Sequence, residues 1–105
     1  MIGPTGYDYN GINIWYRINN VESGAEKLEK FTGMTTTSLR AAVKIKSKLT
    51  YPARTLKLVV AGSDETEIAL DDMDYLRSGY FNFKQLILDH NIKPYHPILV
   101  NLPGK

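Results

Sequence analysis

Apolar positions recur with two different periods along this chain, and the switches between them mark out its elements. From Ile12 to Ile18 the period is two. Ile12, Ile14, Tyr16 and Ile18 share one side with Trp15 opposite, as in a half-buried strand. Asn10-Gly11 tolerates positive φ, so within Tyr7 to Ile18 either short strands flank that dipeptide or the arm turns there and Ile12 to Ile18 is a single strand. After Asn19-Asn20 the period lengthens. Ser23 and Glu26 have the spacing of a capping box, Ala25, Leu28 and Phe31 form a stripe, and Gly33 can terminate in the left-handed region; together they predict a helix over about Gly24 to Thr32.

A second helix is expected to start among Thr35, Thr36 and Thr37, which are good N-caps, and to run to about Leu49 with Leu39, Ala42, Val43, Ile45 and Leu49 inward. Pro52 bars its continuation. Thr55 to Ala61 and Thr66 to Leu70 read as a hairpin around Gly62 to Glu65, with Leu56, Leu58 and Val60 on one face and Lys57 pointing outward. Asp71 and Asp72 suit the start of a short helix ending near Arg77, and Phe81 to His90 a longer one with Phe83, Leu86 and Ile87 inward and Leu88 a further candidate for that side. Ile92 to Leu102 can be extended, but Pro94, Pro97 and Pro103 restrict it to a sheet edge.

The fold class expected is therefore α+β. It is a single small domain over 1–105 with a flexible arm over 1–6, and its order is an N-terminal strand or hairpin, two helices joined by a tight turn, a β-hairpin, then a C-terminal helix and an extended tail. At 105 residues one core can form without staples, and the chain contains no cysteine for a disulfide or a thiolate site. No stretch is apolar enough to span a membrane, and the first residues show no secretory signal, so a cytoplasmic location is expected.

Charge changes this picture more than composition does. The net charge is only +2, yet Arg40, Lys44, Lys46, Lys48, Arg54 and Lys57 fall in a stretch without one acidic residue. The acidic run Asp64, Glu65, Glu67, Asp71, Asp72 and Asp74 comes next. On a helix, Arg40, Lys44 and Lys48 line one side at i, i+4, i+8, where like charges repel unless an anion sits between them. The two runs either orient the protein on a polyanion or pair with each other in the fold.

The stretch Leu28-Glu29-Lys30-Phe31-Thr32-Gly33-Met34, followed by Thr36-Thr37-Ser38-Leu39-Arg40-Ala41-Ala42-Val43-Lys44, resembles the helix-turn-helix class of DNA-binding domains, especially its winged form. The resemblance implies a duplex-DNA regulator or accessory protein. Thr36, Thr37 and Arg40 would read base edges, Lys44, Lys48 and Arg54 would hold phosphates, and Lys57 would lie in the wing.

Other chemistry is thin. The acidic residues do not follow an EF-hand order, and His90 and His96 straddle Pro94, so neither metal nor cofactor is expected. No catalytic triad order, phosphate-binding glycine loop or split carboxylate pair is present, which points away from an enzyme. Seven tyrosines and Trp15 exceed the needs of so small a core. They support the rival reading, a protein-binding accessory module such as a viral or mobile-element protein that occupies a host factor. A third reading is a subunit of a larger assembly, a homodimer included, joined through an edge strand or the proline-rich tail.

Overall fold

In a computed structural model the structure describes residues 11–19, 21–22, 24–62, 64, 66–73 and 83–104. Five strands, β1 (Ile12–Ile18), β2 (Glu26–Phe31), β3 (Lys57–Ala61), β4 (Glu67–Ala69) and β5 (Ile98–Asn101), form one mixed sheet in the order β2-β1-β5-β3-β4. Two helices, α1 (Thr36–Ser47) and α2 (Phe83–His90), pack on it. The α+β class stands. The expected arm over 1–6 and the short helix beyond Met73 lie outside the described residues; at its expected start Leu70–Asp72 is a 3₁₀ turn and Met73 is extended.

The alternation read in β1 holds: Ile14, Tyr16 and Ile18 are buried, while Trp15 and Arg17 face the other way. One consequence is a parallel pairing with the last strand, Tyr16 opposite Ile98 and Ile18 opposite Val100. The C-terminal strand is thus central, paired also to β3 in antiparallel fashion with Leu58 opposite Val100. Expectation placed it at an edge because of its prolines. Those prolines instead flank a four-residue strand, so none removes a ladder hydrogen bond.

The helix expected over Gly24 to Thr32 is a strand. Glu26–Phe31 pairs antiparallel with β1, Leu28 against Ile14 and Phe31 against Ile12, across an irregularity between Ile12 and Ile14. Local spacing allowed a helical stripe, but the open edge of β1 offers a ladder that also buries Leu28 and sets Phe31 edge-on to Phe83, ring centroids 5.3 Å apart. At the same end Gly11 (φ +84°) lies so close to Lys30 (φ +54°) that a Cβ would run into the Lys30 backbone.

Helix α1 begins where the threonines predicted it. Thr35 is the N-cap, its Oγ1 accepts from the Ser38 amide at 3.0 Å, and Ser38 Oγ accepts from the Thr35 amide at 3.1 Å. It ends at Lys48 in the left-handed region, ahead of Pro52. Leu39 and Val43 are buried, whereas Ile45, expected inward, is 77% exposed. Residues at i and i+4 define the stripe here, and Ile45 lies off it.

One core joins these elements. Leu39 and Val43 of α1 and Phe83 and Leu86 of α2 meet the face of the sheet carrying Ile14, Tyr16, Ile18, Leu58, Val60, Ile98 and Val100. Leu88, the further inward candidate on α2, is 69% exposed. Strand β3 behaves as expected, with Leu56, Leu58 and Val60 inward and Lys57 exposed. Both described helices therefore lie on one side, and no described helix packs on the other.

Candidate interaction surfaces

The expected basic face of α1 is largely consumed by the fold. Arg40 Nε donates to the Leu56 carbonyl at 2.8 Å and its Nη2 pairs with Asp71, so the guanidinium clasps the start of β3 and the 3₁₀ turn Leu70–Asp72. Lys44 Nζ donates to the Tyr51 carbonyl at 2.6 Å. Lys48, the third of the line, is exposed in the cap. Thr36 is half-buried in the first turn and Thr37 is exposed; Arg54 is exposed on the 3₁₀ turn Ala53–Thr55 and Lys57 on the outer side of β3. Arg40 and Lys44 thus act as internal ties. The basic and acidic runs meet at Arg40 and Asp71.

The outer face of the sheet carries residues that sequence reasoning left unused. Register places Arg17, Leu99, Val59 and Ala69 in one row across β1, β5, β3 and β4. Trp15 lies beside that row opposite Lys27, whose ammonium sits 5.7 Å from a Trp15 ring centroid and 3.3 Å from Glu29. Arg17 is exposed and reaches Asn19 Oδ1 at 3.3 Å, and Asn19 Nδ2 donates to Asn101 Oδ1 at 2.7 Å. Trp15 and Leu99 are half-buried and Val59 is fully covered. The only signal in sequence was the placement of Trp15 opposite the isoleucines.

Two concavities open at the margins of the opposite, helix-bearing side. One, of about 250 Å³, opens between the start of β2 and the end of α1, with Tyr16 and Ser47 among its walls. The other, shallower and about 350 Å³, lies between the β3–β4 turn and the end of α2, lined by Ile68, Asp89, His90 and His96. His96 is spent on structure, its Nδ1 2.8 Å from the His90 carbonyl oxygen, and it closes a turn with Lys93 whose tip, Tyr95, is 94% exposed. Among the described residues, no group of three His, Asp or Glu side chains could hold a metal ion, and no helix is long and apolar enough to cross a membrane.

A five-stranded β2-β1-β5-β3-β4 sheet with parallel central strands and its helices on one face defines a ubiquitin-like fold. Consistently, the chain is similar to the solution structure of the C-terminal ubiquitin-like domain of mouse tubulin-specific chaperone e. That match has a TM-score of 0.52 and 17% identity, and covers 98% of this chain and 97% of that one. Such identity speaks to the fold alone. Residues 12–103 match the family model described as a domain of unknown function, DUF8732, and the chain belongs to that family. No curated protein matches it.

These findings overturn the reading of a helix-turn-helix, winged DNA-binding regulator. A strand stands where the first helix of the pair was expected, and a solved structure of similar fold is a ubiquitin-like domain.

Proposed function

We propose that the domain is a non-enzymatic protein-binding accessory module of the cell interior, docking through the outer face of its sheet. The observation that carries this reading is Trp15 beside Arg17 on a face that no described helix covers. Trp and Arg dominate the energetics of protein interfaces, and here an apolar centre of Leu99 and Ala69 is rimmed by Arg17, Lys27, Asn19 and Asn101. A partner with an acidic side chain opposite Arg17 and an apolar one opposite Leu99 would complement it. The ubiquitin-like domain of the tubulin-specific chaperone supports the reading as an example of this fold built into a protein that acts on another protein.

Capture from a nuclease-treated lysate tests it. The wild-type chain recovers a stoichiometric protein, and Arg17→Glu, still folded by circular dichroism, loses it. Recovery of nucleic acid alone, or equal recovery by Arg17→Glu, contradicts the reading.

A further inference from the structure

At the end of the core farthest from the β3–β4 hairpin, the pocket of about 250 Å³ combines apolar walls with a polar cluster. Ile18, Val21 and Leu49 supply the walls, and Gly24 stands at the side. Tyr16 Oη donates to Glu26 Oε2 at 2.7 Å and lies 2.6 Å from Ser47 Oγ, while Ser47 Oγ lies 3.0 Å from the same carboxylate oxygen. The three oxygens form a closed triangle. Tyr16 and Ser47 contribute one hydrogen each and the exposed Glu26 carboxylate contributes none, so its oxygens keep acceptor capacity for a further donor.

Its charge points the same way. Glu26 places a carboxylate at the pocket, and Ser47 is the last residue of α1, whose C-terminal carbonyls add partial negative charge. Lys48, next in sequence, is exposed and does not line the pocket.

We propose that this pocket receives a lysine side chain of the protein partner. The aliphatic stem lies against Ile18, Val21 and Leu49, and the ammonium donates to Glu26 and Ser47. Three N–H donors on a tetrahedral head match the acceptor oxygens of Glu26 and Ser47, and a flexible methylene stem suits the apolar walls. This rests on the protein-binding reading and adds a second contact, around the sheet edge from Trp15.

The test uses the full chain and n-pentylamine, charged at neutral pH, against 1-pentanol of equal length, each followed by amide chemical shifts. The amine shifts Gly24, Ser47 and Leu49 saturably and binds at least about tenfold tighter than the alcohol, the worth of one charged hydrogen bond. Glu26→Gln removes that preference. Gly24→Phe blocks both ligands; a Cβ at Gly24 meets nothing within 4 Å, and circular dichroism of the variant confirms its fold before titration. Equal binding of amine and alcohol, a preference that survives Glu26→Gln, or no saturable shift with the amine overturns the proposal. Because the titration needs no partner, amine binding without any captured protein would leave the pocket standing and sink the functional reading instead.

Discussion

Arg40 and Asp71 form an ion pair between α1 and the 3₁₀ turn after β4, and the same guanidinium donates to the Leu56 carbonyl. The Arg40 side chain is mostly covered while Asp71 is half-exposed. Truncation is therefore asymmetric. Arg40→Ala strips the Leu56 carbonyl of its donor and costs about 1–3 kcal/mol, whereas Asp71→Ala costs at most about 1 kcal/mol, as expected of a pair open to solvent on one side. Urea denaturation of the two variants checks the order. Equal losses would show that the clasp works through the ion pair alone.

Tyr16 makes stability depend on alkaline pH. Burial pushes its phenol well above the usual tyrosine range; the Ser47 hydrogen bond opposes this, and Glu26 adds to it. The folded state therefore keeps a proton that the unfolded chain releases near pH 10. The contribution is full below about pH 10 and declines as pH rises toward the folded value. Tyr16→Phe flattens that decline and costs about 1 kcal/mol at neutral pH for the lost hydroxyl bonds. Denaturant midpoints between neutral and strongly alkaline pH provide the measurement, and parallel curves for the two proteins would contradict it.

On α1, Leu39 and Val43 are buried and Ile45 is not. Leu39→Ala should cost about 2–5 kcal/mol by opening a cavity, and Ile45→Lys should stay within about 0.5 kcal/mol. Thermal unfolding of both variants distinguishes this register from one with Ile45 inward, where the lysine would be the damaging change.

Gly11 gives a test of the β1–β2 pairing. Its positive φ and its approach to the Lys30 backbone leave no room for a methyl group. Gly11→Ala therefore costs about 1–3 kcal/mol or more and loosens the ladder. Faster amide exchange in Glu26–Phe31 than in Ile98–Asn101 of the variant is the expected signature. A uniform change across the sheet would place the strain elsewhere.

Particular residues show how much could be read beforehand. The β1 alternation, the Thr35 cap, the inward trio of β3 and the buried pair of α2 follow from local periodicity and capping chemistry, which sequence records directly. Glu26–Phe31 does not, because its six residues satisfy helical and extended patterns alike and only pairing with β1 decides. Glu29, in place of the small residue the helix-turn-helix class carries before its turn, and Phe31, in place of a polar one, were the local signs against a helix pair. The fate of Arg40 and Lys44 was equally hidden: their partners, Leu56, Asp71 and Tyr51, are set by tertiary placement. The outer face needed the order of strands, since Arg17, Leu99, Val59 and Ala69 are scattered in sequence and aligned only by register.

Trp15 is the single tryptophan of the chain, so its emission reports on the surroundings of that one half-buried ring. Acrylamide quenching of Trp15, measured in the free protein and in the complex with the captured partner, tests the central claim most directly. The account predicts that quenching falls several-fold on binding, as the partner covers the ring. Quenching unchanged in a complex that demonstrably forms would contradict it and move the interface to another surface.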